Sequence, residues 1–194
     1  MTEKEIWLKI VEEAKSLSDD QSLSDSYLDE YVTNFDKLSD SIGFKIASDL
    51  GQDVSSKAFS YKFLFSELKK VYENVNILDG LVLDLLAVKQ RDPASTGYLS
   101  TLLFSKGFLA LQTHRASHYF FKKGETLLAN FLHSQASKIY SVDIHPAATI
   151  GVGVMLDHAT GIVIGETSVI ENDVSIFQGA VSYTHLTLPT SDLV

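Results

Sequence analysis

Through about residue 140 the apolar residues recur at helical spacing. Ile6, Ile10, Val11 and Ala14 share one face, as do Leu28, Tyr31, Val32, Phe35 and Leu38. A third run uses Phe59, Phe63, Leu64, Leu68, Val71, Tyr72 and Val75. A fourth, Leu81 to Val88, is closed by Pro93, which cannot continue a helix. Leu102 to Phe121 reads as one further helix ended by Gly124, and Leu127, Leu128, Phe131, Leu132 and Ile139 as a last one. The pattern predicts about six helices in a bundle, part of whose apolar surface is available for an oligomer contact.

After Tyr140 the period changes to six. Aliphatic anchors stand at Ile144, Ile150 and Leu156, then at Ile164, Ile170 and Ile176, with small or polar residues between. This is the pattern of a left-handed parallel β-helix, in which each hexapeptide forms one side of a triangular coil. The fold class is therefore α + β: helices over 1–140, then a β-helix over 141–181. One step is irregular. Leu156 to Ile164 is two residues too long, and the surplus falls in DHATGIV, which predicts an outward bulge there.

Composition narrows the function. A net charge of −9 excludes the clustered positive field that nucleic-acid binding needs. The absence of cysteine excludes disulfides and thiolate metal sites. There is no signal peptide at the N-terminus and no run of roughly 18 apolar residues, so a soluble cytoplasmic protein is expected. GVG at 151–153 lacks the third glycine and the strand–helix setting of a dinucleotide fingerprint.

The strings RDPA (91–94), LLFSKGFLALQTHRASHYFF (102–121) and VDIHPAATIGVGVMLDHATGIVIGETSVIENDVSIFQG (142–179) resemble the bacterial serine O-acetyltransferases. The helices before residue 90 resemble that family only in length and character. The resemblance implies a dimer of trimers, with acetyl-CoA and L-serine as substrates and O-acetyl-L-serine as product. It also implies feedback inhibition by L-cysteine and, in the family, docking onto O-acetylserine sulfhydrylase through a C-terminal peptide that is expected to be missing here.

The residues have chemistry to match. A serine hydroxyl must lose its proton as it attacks a thioester, and a histidine of ordinary pKa near 6.5 suits that task. A carboxylate on the second ring nitrogen would fix the tautomer. His158 as base and Asp143 as its partner are one coil turn apart on a repeat of about 18 residues, and the resemblance gives them the same roles. Asp92 and Asp157 are candidates for the substrate ammonium. The resemblance places Asp92, Pro93, Asp157 and His158 around bound serine or cysteine, in a pocket between domains or subunits. His145 is expected to cap a corner, and His114, His118 and His133 to be packing or interface residues. Glu166 fits either the site or a solvated corner. Metal binding by Asp143, His145, Asp157 and His158 is a rival reading, disfavoured because acetyl transfer needs no metal and no HExxH motif is present. An acceptor other than serine, such as a sugar or an antibiotic, and a purely assembly-forming role are the functional alternatives.

The resemblance stops near Ala180. Ser182 stands where an aliphatic anchor is due, and SYTHLTLPTSDLV has no six-residue period. The family's glycine-rich loop, Arg-His pair and most of its CoA cleft have no counterpart here. Residues 182–194 resemble a translated sequencing adapter, and His185 does not match the family's second histidine. The reading is a truncated reading frame whose short solenoid is expected to be weakly active and prone to aggregate.

Overall fold

The computed structural model describes residues 1–18, 22–51 and 59–186. Among the described residues, eight α-helices lie between Glu3 and Tyr140. They are α1 (Glu3–Ser18), α2 (Ser22–Leu28), α3 (Leu38–Gly51), α4 (Tyr61–Tyr72), α5 (Val75–Arg91), α6 (Tyr98–Phe104), α7 (Lys106–Lys122) and α8 (Thr126–Tyr140), with a π-helical turn at Asp29–Thr33. This exceeds the expected six for two reasons. Leu102–Phe121 is split, because Ser105 leaves the helical conformation and its hydroxyl accepts from the Phe108 N–H, starting α7. The Leu28–Leu38 run is not one helix either: it spans the end of α2, the π-helical turn, the non-helical residues 34–37 and the first residue of α3, whose own period is masked by buried polar residues. Ser39, Ser41, Lys45 and Ser48 are all buried there. Each of the last three is satisfied locally: Ser41 donates to the Tyr31 carbonyl, Ser48 pairs with the Tyr31 hydroxyl, and Lys45 pairs with Asp49.

Gly124 ends α7 as the sequence predicts. Its φ is +81°, its N–H donates to Phe121 and the Glu125 N–H donates to Phe120. This paired closure turns the chain back so that α8 lies along α7. At its far end α8 passes through Ser141, at φ +57°, directly into the first strand.

Strands β1 (Val142–Ile144), β2 (Thr149–Ile150), β3 (Met155–Asp157), β4 (Ile162–Ile164), β5 (Val169–Ile170), β6 (Ser175–Phe177), β7 (Val181–Ser182) and β8 (His185–Leu186) form three parallel ladders. The strand orders are β1-β4-β7, β2-β5-β8 and β3-β6. These are the three sides of a solenoid. Ile144, Leu156, Ile164, Ile170 and Ile176 are buried inside it. The first coil is two residues longer than the next, since Val142 pairs with Ile162 whereas Val163 pairs with Val181. The surplus lies between β3 and β4, where the bulge is expected. The ladder also runs past residue 181 to Leu186, because parallel pairing needs only backbone groups. Ser182 is buried at the vacant anchor position. Expectations for residues 187–194 lie outside the described residues.

Helices and solenoid share one core, with a polar clamp at its centre. Asp84 of α5 is fully buried. It accepts two hydrogen bonds from Arg115 of α7, at 2.8 and 2.9 Å, one from Gln112 at 2.8 Å, and one from the Val154 N–H of the solenoid at 3.0 Å. Arg115 in turn donates to the Gly151 carbonyl at 2.7 Å. Burial pushes the Asp84 carboxyl pKa upward, and Arg115 pulls against it.

Two predictions follow from this core. Replacing Asp84 with Ala strands the Arg115 guanidinium in the interior and is expected to cost about 3–5 kcal/mol in urea denaturation. His114 is buried and its Nδ1 has no hydrogen-bond partner among the described residues. Burial, then the neighbouring His118 and Arg115, holds its pKa well below 6.5. The unfolded chain therefore takes up a proton near pH 6.5 that the folded chain refuses. Stability is retained above that pH and falls below it, by up to ~1.4 kcal/mol per pH unit for one proton. Denaturation midpoints between pH 7 and 5 are expected to show this dependence, and His114→Leu to flatten it.

Candidate active site

The surplus residues of the first coil make the centre of the site. β3 ends at Asp157 and β4 begins at Ile162, and the chain between them turns outward. His158 and Ala159 both take the left-handed conformation, at φ +53° and +59°. That region is unfavourable for residues with a Cβ, so the surroundings must hold it. They do so through backbone bonds: Thr160 N–H to the His158 carbonyl, Gly161 N–H to Ser141, and Gly179 N–H to the Thr160 carbonyl. Lys106, at the start of α7, donates to the Thr160 hydroxyl. Ala159 is buried beneath the bulge, while the His158 side chain is 75 % exposed, with Nε2 4.0 Å from the Asp157 carboxylate.

The bulge faces a cleft of about 710 Å³ whose other wall is helical. That wall begins where α5 ends. Arg91 reaches the solenoid, donating to the Gly153 carbonyl at 3.0 Å and pairing with Asp173 at 3.1 Å. Asp92 then leaves the helix in an extended conformation, and its carboxylate accepts from the Ala94 N–H at 2.8 Å. Pro93 to Thr96 continue the wall, followed by one side of α6 and the first turn of α7. Four of the five candidate residues, Asp92, Pro93, Asp157 and His158, line this one cleft. Lys106 and Gln178 also line it and were not singled out from the sequence. Nothing local marks either; Lys106 is legible only once α7 is known to start beside the bulge.

Asp143 is placed differently. It lies on β1 opposite Val163, and its carboxylate is 2.6 Å from Nε2 of His133 on α8. It is not among the residues lining the cleft. His133, expected to be a packing residue, therefore holds the carboxylate expected to serve His158. His145 does cap its corner, accepting from the Ala147 N–H, and His118 Nδ1 meets the Pro146 carbonyl. Glu166 is exposed in the turn after β4, away from the cleft. The side chain of His185 lies outside the described residues. Among the described residues no group of three or more His, Asp or Glu is placed to hold a metal ion. Nor is any described helix long and apolar enough to cross a membrane.

Fold and site together define a hexapeptide solenoid with an appended helical domain and a histidine-bearing bulge facing the junction. Residues 6–113 match the family model described as serine acetyltransferase, N-terminal. The serine acetyltransferase of Buchnera aphidicola subsp. Schizaphis graminum is 41% identical over 178 residues, covering 91% of this chain and 67% of that protein. Among solved structures, soybean serine acetyltransferase complexed with serine is similar at 36% identity and a TM-score of 0.87, covering 92% of this chain and 72% of that one. A serine acetyltransferase in complex with CoA has 38% identity and a TM-score of 0.87, covering 93% and 75%. The chain belongs to the serine acetyltransferase family. It spans between about half and two thirds of the length of the curated relatives it matches.

The closeness of α7 to β3 provides a test. Gly107 is buried, and a Cβ there would collide with the Leu156 carbonyl oxygen and crowd Ala159. Gly107→Ala is expected to lower stability by about 1–3 kcal/mol, the usual cost of overpacking. Thermal denaturation at fixed pH measures it.

Proposed function

We propose that the chain is a serine O-acetyltransferase, moving an acetyl group from acetyl-CoA to the hydroxyl of L-serine to give O-acetyl-L-serine and CoA. The carrying observation is the single cleft that gathers Asp92, Pro93, Asp157 and His158 from the helical wall and the solenoid bulge. The relatives named for serine acetylation, and those solved with serine and with CoA, support the choice of substrates.

In this reading Asp92 and Asp157 hold the serine ammonium. His158 takes the hydroxyl proton as the serine oxygen attacks the thioester carbonyl. The new C–O bond forms, the C–S bond breaks, and the imidazolium returns its proton to the departing CoA sulfur. L-Cysteine carries the same ammonium and carboxylate as serine and would compete for the same cleft. Asp143 is proposed to orient His158 in the working enzyme. Assembly as a homo-oligomer belongs to the same reading, as does a cytoplasmic setting.

The test compares His158→Ala with its parent by thiol release from acetyl-CoA and L-serine, with calorimetric serine binding read in parallel. The variant is expected to lose roughly 10²–10⁴-fold in turnover, the usual share of a general base, while still binding serine. Equal turnover in both proteins, or a sugar or antibiotic acetylated in preference to serine, would overturn the proposal.

A further inference from the structure

The helical wall of the cleft is fastened by a residue far from it in sequence. Helix α6 starts at Tyr98, and its preceding residue, Gly97, has no side chain with which to cap it. The cap comes from α1. The Glu13 carboxylate accepts from the Tyr98 N–H through one oxygen, at 3.2 Å, and from the Leu99 N–H through the other, at 2.7 Å. The fit is close, since a Cβ at position 97 would lie 2.5 Å from a Glu13 oxygen. Two N–H groups of the first turn, which have no partner within the helix, are thereby satisfied by one ionised side chain.

The segment from Asp92 to Gly97 is therefore held at both ends and in the middle. Arg91 fixes its start to the solenoid. Lys89 donates to the Ser95 carbonyl at 3.0 Å. Glu13 fixes its end. Glu13 does not line the cleft, but Pro93, Ala94, Ser95 and Thr96 do. Without the cap, α6 keeps its packing on α1 but its first turn loses its polar tie, and the Pro93–Thr96 wall of the cleft is held only from its Asp92 end and through Lys89.

We infer that Glu13 is a positioning residue for the amino-acid subsite: it caps α6 from α1 and so holds the Asp92 wall at the spacing that serine binding needs. The inference rests on the serine reading above. Its test is serine affinity by calorimetry, together with amide hydrogen exchange, in the full chain. Glu13→Ala is expected to weaken serine binding about tenfold, of the order that a lost helix cap costs, and to speed exchange at residues 94–99. Glu13→Gln keeps one acceptor oxygen and is expected to fall between Ala and the parent. Two controls separate positioning from charge and from general destabilisation. Glu12→Ala removes an equal charge from the exposed neighbour, and Leu132→Ala opens the core at a fully buried site on α8; both are expected to bind serine as the parent does. Unchanged serine affinity in Glu13→Ala, or an equal loss in either control, would overturn the inference. A parent chain with no serine affinity would instead sink the serine reading itself.

Discussion

The buried carboxylate of Asp84 is the point on which helices and solenoid depend together. It meets Arg115 and Gln112 from α7 and a backbone N–H of the solenoid, while Arg115 reaches on to the Gly151 carbonyl. A charge with no exposure to water is tolerated only when its lone pairs are filled, and here four donors fill them. The consequence is geometric. With α5 and α7 registered against the first coil, the end of α5 and the start of α7 must both arrive beside the bulge. The cleft exists because of that registration.

Within this frame the bulge is a local departure from a regular repeat. Two extra residues cannot be absorbed by a triangular coil, so they loop outward and carry His158 with them. Two successive left-handed residues are then maintained by neighbours on three sides: Ser141 in the coil below, Gly179 in the coil above, and Lys106 from α7. An exposed imidazole on a tightly held backbone can meet a substrate without reorganisation, which is how sites on rigid scaffolds gain their advantage.

Much of this was legible in the sequence, and the rest was hidden for physical reasons. The six-residue period gave the solenoid, and its one long step gave the place of the bulge. Gly124 marked its helix end because only a residue without a Cβ adopts φ +81° at little cost. By contrast α3 was hidden because buried Ser39, Ser41, Lys45 and Ser48 break the apolar period that reveals helices. The break at Ser105 was hidden because a serine inside an apolar run carries no sign of whether it caps. In the site, Asp92, Pro93, Asp157 and His158 line one cleft. The partnership of His133 with Asp143, and that of Glu13 with α6, join residues whose proximity only the packed structure sets.

The central claim is that this cleft receives an amino acid between the helical wall and the bulge. A crystal structure of the chain grown with L-serine tests it most directly. The account predicts serine in the cleft, its ammonium against Asp92 and Asp157 and its hydroxyl within hydrogen-bond reach of a His158 ring nitrogen. Serine bound elsewhere on the chain, or in the cleft with its hydroxyl turned away from His158, would contradict it.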